Sequence, residues 1–139
     1  MKITFLVGLP GSGKTYLGEL LAANDANVTY LDDISVNGGL NELQKAIHVL
    51  GAENIVVSDA FLCRQRDREQ AVAVLKKMAP AYALEWVFFE NAPEKCLRNA
   101  DYRNKGLGAT RLVTRMIFDM SKEYAIPEGV SVREVWQPK

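Results

Sequence analysis

The apolar run Ile3-Thr4-Phe5-Leu6-Val7 leads directly into Gly8-Leu9-Pro10-Gly11-Ser12-Gly13-Lys14-Thr15, the eight-residue pattern G-x-x-x-x-G-K-[ST]. A strand that turns through such a loop into a helix constrains the fold more than any other feature of the chain. Glycine reaches backbone conformations closed to residues with a Cβ, so successive N–H groups converge on phosphate oxygens beside a helix N-terminus. Lys14 then supplies a point charge for the β- and γ-phosphates, and the Thr15 hydroxyl a Mg²⁺ ligand. Gly8, Pro10, Gly11, Ser12, Gly13, Lys14 and Thr15 are therefore expected to hold ATP with Mg²⁺. Gly-rich turns also close strands that bind nothing, but the complete pattern in strand-loop-helix context speaks against that reading.

Beyond the loop, strand-like and helix-like segments alternate, the pattern of an α/β domain with a parallel sheet. Strands are expected at 2–7, 27–31, 54–58, 84–89 and 130–136, the last at an edge. Helices are expected at 14–23, from 40 to a stop at Gly51, at 64–78, at 93–101 and at 110–124. Ligands of open α/β sheets bind beyond the carboxyl ends of the strands. Asp32-Asp33 and Asp59 fall at that edge together with the glycine loop.

With 139 residues and no repeat or linker, the chain is read as a single domain, 1–139. It carries 48% hydrophobic residues and no apolar run long enough for a membrane, and Met1-Lys2 enters the first strand without a cleavage site, so cytoplasmic residence is expected, host cytoplasm if the gene is a phage's. Cys63 and Cys96 lack metal-type spacing and are expected as reduced thiols. His48, the lone histidine, is expected as an ordinary helix residue. Seventeen basic residues balance seventeen acidic ones, which argues against coating nucleic acid by bulk charge. Between Lys95 and Arg115, however, six basic residues face one acid, Asp101. Such a run is either a solvated face or, here, a lid over the nucleotide.

Triphosphate binding leaves the fate of the γ-phosphate open. A guanine switch reads its base through Asn-Lys-x-Asp, and Asn104-Lys105-Gly106-Leu107 lacks the carboxylate. Motor ATPases place a Glu after the Mg²⁺-associated Asp, and here Ala60 follows Asp59. A transferase instead needs a carboxylate for the acceptor's proton, cations for the migrating phosphoryl group and exclusion of water. Asp32 or Asp33 meets the first need, with a turn cap as the alternative for one of them. Asp59 either holds Mg²⁺ through water or forms a turn. Arg98 and Arg103 meet the second need if a helix break near Asp101 or Tyr102 turns both inward, with Gly106 and Gly108 as hinges. Trp86, Phe88 and Phe89 are expected to pack the sheet, and Trp136 or Tyr102 to contact a base or the acceptor.

Taken in order, these residues resemble the kinase domain of phage-type polynucleotide 5'-hydroxyl kinases, within the wider group of P-loop kinases. The loop resembles that family's Gly-x-Pro-Gly-Ser-Gly-Lys-Ser, and Asp32-Asp33 its Asp-Asp pair. Val56-Val57-Ser58-Asp59 before Arg64-Gln65-Arg66-Asp67-Arg68 is similar to its third strand and Arg-rich helix start, and Cys96-Leu97-Arg98-Asn99 with Arg103 to its lid. The resemblance implies an adenylate-kinase-like, doubly wound core of about five parallel strands with a small lid at about 95–109. It also implies ATP-dependent transfer to a polynucleotide 5'-hydroxyl, with Asp32 as general base and Lys14, Arg98 and Arg103 on the phosphates. Where the family has an acceptor-binding Arg three residues beyond the base, this chain has Ser35, which joins Asp32 and Asp33 as the expected acceptor contacts. Hydroxymethylated bases in DNA and small nucleotide, nucleoside or metabolite acceptors therefore stay open, as does a non-catalytic nucleotide switch.

Overall fold

Ile3, Phe5, Leu6 and Val7 are all buried to within 1% of complete, although they point to both faces of their strand. Only a central strand covered on both sides meets that condition. In a computed structural model, which describes residues 1–34 and 39–138, this strand β1 (Lys2–Val7) lies between β3 (Asn54–Ser58) and β4 (Ala83–Phe89). With β2 (Val28–Leu31) and β5 (Val132–Arg133) the order is β2-β3-β1-β4-β5, and every pairing is parallel. The α/β, five-stranded parallel architecture is thus the one the sequence led us to expect.

Helices cover both faces, unequally. On one face, Ile3, Phe5, Val7, Ile55, Val57 and Phe88 form the main core with Leu43 and Ile47 of α2 (Leu40–His48), Leu75 of α3 (Gln65–Met78), Cys96 of α4 (Pro93–Arg103) and Ile117 of α5 (Arg111–Glu123). Trp86 extends it by stacking on Phe5, with ring centroids 4.4 Å apart. On the other face, Leu6, Val56 and Phe89 meet Leu17 of α1 (Lys14–Asn24), with Val28, Tyr30 and Val87 beside them. His48 is exposed at the end of α2, and both cysteines are buried free thiols.

Two expectations are corrected. The last strand pairs only through Val132 and Arg133, because the next backbone donors are engaged elsewhere. The Val135 N–H donates to Glu90 Oε1 at 3.1 Å, and the Trp136 N–H to the Ser12 carbonyl at 3.2 Å, which draws the chain off the sheet toward the glycine loop. Second, α4 does not break near Asp101. It runs unbroken to Arg103, where the Asn104 N–H still donates to the Ala100 carbonyl, and Asp101 instead accepts from the Gly108 N–H at 2.6 Å, folding the following turn back.

Candidate active site

Helix α1 is entered through Gly13, which precedes its first residue and takes φ 103°. Its first turn holds no acidic residue, and no side chain caps it, so its leading N–H groups point into the loop. The loop is packed from below. A Cβ on Gly11 would lie 2.6 Å from the Cys96 carbonyl oxygen, and one on Gly13 would lie 2.9 Å from the Trp136 Cβ, so glycine is required at both by contact and by positive φ. Ser12 Oγ is buried without a hydrogen-bond partner among the described residues. Lys14 is buried too, its ammonium donating to the carbonyls of Gly8 at 2.8 Å and Leu9 at 2.9 Å. Burial holds that ammonium below the usual lysine range, against the opposing pull of Cys63, Asp33, Cys96 and Asp59. A buried cation, an orphaned hydroxyl and uncapped helix N–H groups in one cradle fit a phosphate chain.

At the end of β2, three hydroxyls converge on Asp32 Oδ1: Ser58 Oγ at 2.9 Å, the Tyr30 hydroxyl at 3.0 Å and Thr15 Oγ1 at 3.2 Å. Tyr30 and Ser58 are also 2.6 Å apart. Because Thr15 spends its proton on the carboxylate, its oxygen lone pairs remain for a cation, which suits a Mg²⁺ ligand. Burial pushes the Tyr30 phenol well above its ordinary range, so it stays a donor.

Asp33 projects beside this group from a left-handed backbone, φ 43°. Its carboxyl is raised above the usual aspartate range by burial and by Asp32, with Asp59 adding to the rise and Lys14 and Arg103 opposing it. The Asp33 carboxyl thus feels both Arg103 and the loop lysine. Asp59 is buried, and its Oδ1 accepts from the Phe61 N–H at 2.9 Å, capping the 3-10 turn Ala60–Cys63. Ser35 lies outside the described residues.

Arg98 and Arg103 are both exposed on α4, five residues apart on an unbroken helix, about 140° around its axis. Both nonetheless border one hollow with Asp101, Tyr102, Lys105 and Pro138. The Arg-rich start of α3 is largely architectural. Arg68 donates to the carbonyls of Leu62, Cys63 and Ala125, and Arg64 pairs with Glu123 at 2.6 Å.

Sequence reasoning missed the strap that fastens the glycine loop to α4 and to residues 136–137. Asn99, 3% exposed, donates to the Gly11 carbonyl at 2.8 Å and to the Trp136 carbonyl, while Gln137 Nε2 donates to Asn99 Oδ1 at 3.3 Å. The only sequence signal was an amide one position beyond Arg98. Trp136, held there, forms an exposed aromatic group with Tyr16 and Tyr102, at ring separations of 5.9 and 6.3 Å.

A parallel sheet whose central strand feeds G-x-x-x-x-G-K-[ST] and a helix, with carboxylates just beyond the ends of β2 and β3, is a doubly wound α/β fold built around a phosphate-binding loop. No protein-family profile matches the chain. An uncharacterized protein of Acanthamoeba polyphaga mimivirus is 26% identical over 106 residues, which are 74% of this chain and 73% of that protein. Among solved structures, a gluconokinase from Sinorhizobium meliloti 1021 matches with a TM-score of 0.64 at 18% identity, over 99% of this chain and 83% of its own. That likeness is one of fold.

Proposed function

We propose that this protein is an ATP-dependent phosphotransferase that moves the γ-phosphate to an alcohol, with a polynucleotide 5'-hydroxyl as first acceptor. One observation carries the reading: the Asp32 carboxylate accepts from Thr15 of the phosphate loop at 3.2 Å, next to Asp33, whose carboxyl feels the charges of Lys14 and Arg103. Phosphoryl transfer to an alcohol requires a carboxylate at this rim to take the acceptor's proton.

In this reading the loop N–H groups and Lys14 hold the β- and γ-phosphates, and the base stacks against Trp136. Thr15 and Asp59 hold Mg²⁺, which when bound neutralises charge on the phosphate chain. Asp32 orients the acceptor hydroxyl and takes its proton as the new O–P bond forms and the bond to the ADP oxygen breaks. Arg98 and Arg103 spread donors over the migrating phosphoryl group and help exclude water. Asp33 and Ser35 contact the acceptor.

The order of motifs supports a polynucleotide end as acceptor, as does the basic stretch from Lys95 to Arg115. A small hydroxylated acceptor is the second reading. It is favoured by the likeness to a gluconokinase and by Ser35 where the polynucleotide kinases have an arginine. Incubation with γ-labelled ATP and Mg²⁺ separates the readings: one arm carries a 5'-hydroxyl oligonucleotide, another carries gluconate and nucleosides, a third carries water alone. Label on the oligonucleotide supports the first, and label on a small alcohol the second. Label found only as inorganic phosphate in every arm overturns the transferase reading.

A further inference from the structure

Gly18 occupies the fifth position of α1, where glycine costs an exposed helix about 1 kcal/mol relative to alanine. The reason for it lies across the gap to β2. A Cβ on Gly18 would overlap the Tyr30 ring at Cδ1, Cε1 and Cζ, so the ring rests directly on the helix backbone. That approach delivers the Tyr30 hydroxyl to Ser58 Oγ at 2.6 Å and Asp32 Oδ1 at 3.0 Å. Tyr30 and Asp32 are two apart on a strand and its extension, so both side chains emerge on one face, and Ser58 closes the triangle from β3.

Proton accounting shows what the triangle does. Each of the three hydroxyls around Asp32 Oδ1 carries one proton, while a carboxylate oxygen offers two lone-pair directions. Ser58 and Thr15 fill those directions when the Tyr30 proton goes to Ser58, its shorter contact. Tyr30 thereby fixes the Ser58 rotor, and Ser58 fixes the carboxylate. The carboxylate in turn fixes the proton of Thr15, whose lone pairs then face outward.

We propose that Tyr30, admitted by Gly18, is a positioning residue that acts through Ser58 and Asp32 to aim Thr15 at the nucleotide's divalent cation. The proposal rests on the reading of Asp32 and Thr15 given above. Tyr30 also lies close enough to interact with Thr15 directly, so the route through the Asp32 carboxylate is the part of its effect that loss of that carboxylate removes.

The test is Mn²⁺ binding to the ATP-loaded protein, followed by electron paramagnetic resonance, in wild type, Tyr30→Phe, Asp32→Asn and the double variant. It needs no acceptor. Tyr30→Phe keeps the ring and its packing, and is expected to weaken Mn²⁺ by about five-fold or more. In the Asp32→Asn background the same change is expected to cost clearly less than in wild type. Gly18→Ala, which displaces the ring, is expected to reproduce the loss with the hydroxyl still present. Wild-type Mn²⁺ affinity in Tyr30→Phe beside a weakened Asp32→Asn overturns this inference alone, as does an undiminished loss in the double variant. An Asp32→Asn protein with normal Mn²⁺ binding and normal transfer overturns the underlying site reading instead.

Discussion

Asn99→Ala removes the clamp between the glycine loop, α4 and the chain's last residues. Asn99 is 3% exposed and takes part in three hydrogen bonds, donating to the Gly11 and Trp136 carbonyls and accepting from Gln137. At about 1 kcal/mol for each of the two donated bonds, and less for the longer third, the loss comes to roughly 2–3 kcal/mol. For a chain of this size each kcal/mol lowers Tm by about 3–4 °C, so a drop of roughly 6–12 °C is expected. Asn99→Asp should lose more, because a carboxylate cannot donate and would face two carbonyl oxygens. Urea unfolding followed by tryptophan fluorescence measures both, and Trp136 reports the strap directly, since its own carbonyl accepts from Asn99. ATP affinity should fall as well, because the Gly11 carbonyl loses its Asn99 donor and the loop is held less firmly. An Asn99→Ala protein within about 0.5 kcal/mol of wild type would refute the clamp.

Lys14→Met keeps length and burial but removes the charge. Saturating ATP, which at a hundred times Kd should stabilise wild type by about 2.7 kcal/mol, should leave its melting temperature unmoved. Asp32→Asn should still show that ATP shift while transfer falls by about 10²-fold or more, read by labelled-ATP turnover. Arg103→Ala should lower kcat more than ATP affinity; equal losses would mark a ground-state contact. Asp33 carries a carboxyl raised in the folded state, so it costs stability where it is ionised and nothing once it is protonated in both states. Asp33→Asn should therefore raise Tm slightly at neutral pH, and the gain should vanish as pH falls below the ordinary aspartate range. A gain that persists at low pH would point to backbone relief at φ 43° instead.

What could be read in advance was local. The phosphate loop, the alternation of elements and the acids at strand ends are short-range patterns: the alternation runs through the whole fold, and the loop and acids lie at the carboxyl edge of the sheet. What escaped was set by contacts distant in the chain. Gly18 carries no pattern of its own, because its partner, Tyr30, lies on the next strand. The final strand was read too long because Val135 and Trp136 have strand-like side chains but find their acceptors in Glu90 and Ser12. The helix break was inferred from the need to aim two arginines, whereas the backbone ladder continues and Asp101 serves the turn beyond it. Asn99 carried no pattern, because its meaning depends on Gly11, 88 residues earlier.

The strap sets an order on biosynthesis. The loop is made among the first fifteen residues, yet β1 has no sheet partner until Asn54 and its neighbours emerge, and none on its other side until Ala83. The Gly11 and Ser12 carbonyls find Asn99 and the Trp136 amide later still. A ribosome-bound chain that stops short of residue 136 should therefore fail to capture ATP, and competence should arrive in one step once residue 136 has emerged.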